Sequence, residues 1–185
     1  MKVRHSESLV LMWQLAAFEA RQLNAAMIEP CHLLLGLCKS VDLDLPALVS
    51  NESPKRDEVL EELLREVRRL RIIFRAAGLD ARLFRRAFRQ QHAGQRLPEE
   101  KSEETRRLHR SDGAKRIFAD AEQLAELDKA IVFPAHLFYA VILIADPDRD
   151  ALLERQGVEA ARLRIEAKRE ILPFLRRDGS PMGQN

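Results

Sequence analysis

Several residues in this chain are of types that do chemistry. Cys31 and His32 are adjacent, a pairing that elsewhere supplies a thiolate nucleophile and its base. His32 and His136 are candidates for two imidazole ligands of one metal. Ten arginines between residues 65 and 96, against only Glu66 and Asp80 as acids, could neutralise phosphates or dock an acidic protein. Trp13, the single tryptophan, could serve as a ligand platform or as core. Side chains of neighbouring helical residues point about 100° apart, so Cys31 and His32 cannot readily share a hydrogen bond. No third metal ligand stands at suitable spacing. We therefore expect no catalytic residue, no metal, no cofactor and no enzymatic activity. Each imidazole is expected to make a buried hydrogen bond that caps or crosses its own segment, and Trp13 to lie in the core.

The elements that must position these residues come from an internal repeat. Residues 19–37, EARQLNAAMIEPCHLLLGL, return in degraded form as 123–141, QLAELDKAIVFPAHLFYAV, at an offset of 104. Leu23/Leu127, Ala26/Ala130, Pro30/Pro134, His32/His136 and Leu33/Leu137 are identical, and five further positions stay apolar. Unrelated windows of this length agree at about one position. The segment from Ala77-Gly78-Leu79 resembles that from Gln156-Gly157-Val158 at an offset of 79, so the first copy carries about 25 extra residues. Each unit reads as helix, turn at Pro, helix, turn at Gly, helix. The insertion, at about residues 50–75, either lengthens a repeat helix or adds one.

Composition agrees with this reading. The chain has 185 residues, 46% apolar and 32% charged, with seven glycines and abundant Ala, Leu, Glu and Arg, which favours an all-α protein with one substantial core. No alternating stretch marks a strand. The net charge of +2 says little about partners. No secretory leader and no uncharged run of membrane-spanning length is visible, which leads us to expect a cytoplasmic protein with Cys31 and Cys38 as free thiols.

Along the chain, Ser6 or Ser8 is expected to cap a first helix carrying Leu9, Trp13, Ala16, Ala17, Ala20 and Leu23. After Pro30 a second helix runs to about Cys38, followed by a short helix or loop around Pro46. Residues 57–77 form a long helix ended by Gly78, and Asp80 caps the next. Residues 91–110 read as a linker between a first unit (about 6–90) and a second (about 111–172). Ser111 or Asp112 caps the helix that follows, Pro147 and Asp148 end the apolar helix after Pro134, and the chain is helical after Gly157 to about Leu172. Residues 173–185 read as a frayed tail.

These motifs resemble the double repeat of the Clp amino-terminal domain family, found at the front of Clp-type AAA+ unfoldases. EARQLNAAMIEPCHLLLGL follows the family pattern EAxxLxxxxIxxEHLLLGL, and the likeness spans roughly residues 6–172. His32, Leu33, His136 and Leu137 fall on the motif His-Leu, and Gly78 and Gly157 on a later turn. The resemblance implies a compact pseudo-twofold bundle of about eight helices that binds substrate polypeptides, adaptor proteins or degradation signals. No G-x-x-x-x-G-K-[ST] is present, so this chain carries no P-loop ATPase of that kind. The resemblance then implies either a free-standing docking domain, modulating an unfoldase–protease in trans, or a fragment of a longer protein.

The resemblance places binding pockets near the two Pro turns, at Glu29, Pro30 and Cys31 and at Phe133, Pro134 and Ala135. In relatives that recognise phosphorylated arginine, an acidic residue precedes the motif His. Here Cys31 and Ala135 stand there, and loss of charge-assisted bonds of roughly 1.5–3 kcal/mol each argues against phosphoarginine recognition by that route. The arginine cluster has three readings: a solvated face, a docking site for an acidic protein through Arg68, Arg75, Arg82 and Arg86, or a nucleic-acid surface. The last would make the chain an Arg-rich, nucleic-acid-associated regulator.

Overall fold

A computed structural model describes residues 3–48, 56–92, 108–126 and 131–175. Most of the expected linker, the start of the insertion, Leu127, Ala130 and the last ten residues lie outside them. In chain order the elements are β1 (Arg4–His5), α1 (Glu7–Gln22), β2 (Met27–Ile28), α2 (Pro30–Ser40), α3 (Leu45–Leu48), α4 (Arg56–Ala77) and α5 (Ala81–His92). Then come β3 (His109–Arg110), α6 (Asp112–Glu126), β4 (Ile131–Val132), α7 (Pro134–Leu143), α8 (Pro147–Arg155) and α9 (Ala160–Leu175).

The caps follow the sequence. Ser6 Oγ accepts from Leu9 N–H at 3.1 Å and Ser111 Oγ from Ala114 N–H at 3.2 Å, so the serine is the cap in both cases. Asp80 accepts from the Arg82 and Leu83 N–H groups at the start of α5. Gly78 (φ +77°) and Gly157 (φ +72°) take the left-handed conformation that closes α4 and α8. Leu79 N–H then reaches Phe74 C=O at 2.8 Å, and Val158 N–H reaches Leu153 C=O at 3.0 Å.

Two features depart from the sequence reading. Among the described residues four two-residue strands are present where none was expected; such short ladders carry no alternation to read. Helix α9 also continues through Pro173 to Leu175 rather than stopping at 172.

The strands tie the halves together reciprocally. β1, ahead of α1, pairs in parallel with β4, ahead of α7, while β3, ahead of α6, pairs with β2, ahead of α2. Ser6 N–H donates to Val132 C=O at 3.2 Å and Ser111 N–H to Ile28 C=O at 3.1 Å, the same bond made twice. Helix packing repeats the exchange: α4 packs on α9 and α8 on α5. Part of the insertion lengthens a repeat helix, since α4 has 22 residues where α8 has 9. The fold is an all-α, pseudo-twofold bundle.

One core runs through both halves, with Leu9, Met12 and Ala16 from α1, Leu35 and Leu37 from α2, Val67 and Leu70 from α4, and Leu137 and Phe138 from α7. Phe74 meets Phe138 edge-on at 5.1 Å between centroids. The small residues of α1 let α2 approach so closely that a Cβ on Gly36 would stand 2.7 Å from the Ala16 backbone nitrogen.

Candidate functional site

The two Pro turns are built alike. Glu29 and Phe133 are extended N-cap residues, and Pro30 and Pro134 open the helices, where a missing N–H costs nothing. His32 Nδ1 accepts from Glu29 N–H at 2.9 Å and His136 Nδ1 from Phe133 N–H at 3.1 Å. The imidazole thus takes the part that Glu or Gln plays at the third position of a capping box. Burial lowers both histidines to about 4, helped by His92 for His32 and by Arg69 for His136. Both are neutral at pH 7, with Nδ1 occupied by the backbone.

Cys31 is pushed up to about 12 by burial and then by the charges of Asp146 and Glu29. Cys38 is fully buried and raised by the same cause. These are poor thiolates beside histidines already engaged. Among the described residues, no group of three or more His, Cys, Asp or Glu is placed to hold a metal ion.

The six residues expected near the pockets differ in exposure. Pro134 and Ala135 are buried; Glu29, Pro30, Cys31 and Phe133 are half-buried. Pro30 packs on the start of α6, its Cγ 3.1 Å from where a Cβ on Gly113 would lie. The crevice beside Pro30 and Cys31, closed by Phe88 and Arg149, holds only about 10 Å³, room for about one water.

The arginine cluster divides. Arg89 grips the fully buried Glu19 with two nitrogens, at 2.6 and 3.0 Å, and Arg85 and Lys39 stand 3.8 and 4.0 Å from the same carboxylate. Arg69 pairs with buried Glu66 at 2.7 Å, and Arg71 donates to Val41 C=O. Arg68, Arg75, Arg82 and Arg86 are exposed. The first two share one face of α4 and the second two one face of α5, and neither pair is drawn into the buried ion network.

A cleft with aromatic walls is one that the sequence reading did not single out. It has a volume of about 470 Å³ and runs between α1 and α6, lined by His5, Val10, Trp13, Arg21, Arg110 and Phe118 among others. Trp13 is half-buried: it packs against the core, as expected, and also forms a wall of this cleft. Trp13 and Phe118 meet edge-on at 5.8 Å. The Arg110 guanidinium lies 5.0 Å from the Phe118 ring and 5.6 Å from that of Trp13, and His5 lies 6.2 Å from Phe118.

The cleft straddles the pseudo-twofold axis, because its walls are equivalent residues. His5, Ser6 and Trp13 stand 105 positions before Arg110, Ser111 and Phe118. The signal that could have found it is a basic residue, then Ser, then an aromatic seven residues on, present twice. It was hidden by a one-residue slip from the 104 offset of the Pro-His motif. No helix among the described residues is long and apolar enough to cross a membrane.

No protein-family model and no curated protein matches the chain. Solved structures do. The chain is similar to the N-terminal domain of ClpD, a caseinolytic protease associated chaperone from Arabidopsis thaliana, with a TM-score of 0.58 at 18% identity over 91% of this chain and 95% of that one. It is also similar to the Hsp104 N-terminal domain from Candida albicans, with a TM-score of 0.60 at 13% identity over 96% of each. With reciprocal strands, paired Pro-His turns and paired Gly caps in place, the chain has the fold of these Clp and Hsp104 amino-terminal domains.

Proposed function

We propose that this chain is a non-enzymatic docking domain that binds substrate polypeptides or adaptor proteins in the cytoplasm. It modulates a Clp-type unfoldase–protease in trans, by competing for shared adaptors or sequestering their clients. The observation that carries this is the aromatic-walled cleft across the two halves, on a fold shared with chaperone amino-terminal domains. A cleft of this size suits side chains of an extended segment. The half-buried Glu29, Pro30, Cys31 and Phe133 form secondary contacts at the turns, and the exposed Arg68, Arg75, Arg82 and Arg86 dock acidic partners.

The test is a titration of Trp13 fluorescence with a reduced, carbamidomethylated and permanently unfolded protein, paired with affinity capture from lysate. Saturable change in emission, with recovery of an unfoldase, adaptor or client, supports the proposal. Recovery abolished by nuclease favours the nucleic-acid-associated alternative, and no polypeptide binding in either assay refutes docking. Free phosphoarginine should not bind at the turns.

A further inference from the structure

The two halves of the cleft are equivalent in position but not in charge. In one, the basic residue has an acid beside it: His5 Nε2 lies 2.9 Å from Glu122 Oε1. In the other, the residue equivalent to Glu122 is Ala17, again 105 positions away. Arg110 is exposed and has no carboxylate partner among the described residues. Its guanidinium carbon lies 5.0 Å from the centre of the Phe118 ring and 5.6 Å from that of Trp13, within cation–π reach of both, and its planar fork of N–H donors matches a carboxylate. No acidic residue lines the cleft among the described residues.

We infer that the cleft selects polypeptide segments in which an acidic side chain flanks an aromatic or large apolar one. The apolar group lies along Trp13, Phe118 and Val10, and the carboxylate takes the N–H edge of Arg110, where the other repeat supplies its own acid. This rests on the polypeptide-docking reading and names the class of segment that the site takes. Charge complementarity decides the occupant: a basic or neutral segment leaves Arg110 unpaired.

Because Trp13 is the only tryptophan, its emission reports the cleft directly. Three acetylated, amidated peptides, identical but for Glu, Gln or Lys on each side of a central Phe, are titrated against the intact protein. The Glu peptide is expected to bind about tenfold tighter than the Lys peptide at low salt, the difference shrinking as salt rises. Ala17→Glu restores the missing acid beside Arg110, and Arg110→Ala removes the cation. Each is expected to bring the three affinities within about twofold, with the circular dichroism of the native protein retained.

Equal binding of all three peptides to the native protein overturns the charge selectivity and leaves polypeptide docking standing. So does a preference that survives both substitutions. Tighter quenching of Trp13 by single-stranded oligothymidylate than by the Glu peptide overturns it in favour of base stacking. No binding of any peptide, together with no binding of the unfolded protein, removes the docking reading as well.

Discussion

His32 and His136 use their chemistry on the backbone. Each holds an N-cap N–H on an unprotonated Nδ1, so the fold requires the neutral ring. Their folded pKa of about 4 lies below the ordinary 6.5. The stabilisation is complete above about pH 6.5 and is lost as pH falls towards 4, at roughly 1 kcal/mol per pH unit for each histidine. Urea unfolding at pH 7 and 4.5 should show this. His32→Gln keeps an acceptor for Glu29 N–H but removes one titration, and should reduce the histidine part of the slope by about half. At Glu19, replacement by Ala strands Arg89 and Lys39 around a vacated carboxylate, with Arg85 left to Asp42, and should cost about 3 kcal/mol of unfolding free energy. Sequence reasoning saw the histidine bonds because Pro and His recur at fixed spacing. It missed Glu19 because its arginine partner lies 70 residues away in sequence and no local pattern joins them.

Elements were legible where their punctuation was. Ser6, Ser111, Asp80, Gly78 and Gly157 all stand at helix ends because a side-chain acceptor or a positive φ is needed there. Gly157→Ala should cost about 1 kcal/mol from conformation alone, since a Cβ there meets nothing within 4 Å. Gly36→Ala is a different case. Its Cβ would strike the backbone of α1, which has to move, so a loss of about 2–3 kcal/mol is expected in the same urea assay. The ladders and the cleft were not legible. A two-residue strand has no period, and Trp13 on an amphipathic helix reads the same whether it faces a core or a cleft that the other half completes. The arginines of α4 and α5 likewise read as one basic surface until the buried Glu19 and Glu66 drew several of them inward.

At the scale of the whole molecule, the exchange of strands makes each half the other's scaffold. Among the described residues β1 pairs with β4 and β2 with β3, so neither half closes its own ladder. Fragments 1–92 and 105–185 prepared separately should therefore show no cooperative unfolding by circular dichroism, and mixing them should restore it along with the native emission of Trp13. The same exchange bears on how the protein is made. Arg4 meets Ile131 and Met27 meets His109, so during synthesis Arg4 and Met27 wait for partners that follow more than 80 residues later. Until then the nascent first half displays its leucine-rich face to the cell, and a chain whose fold is shared with chaperone domains is itself a candidate for chaperone care during synthesis.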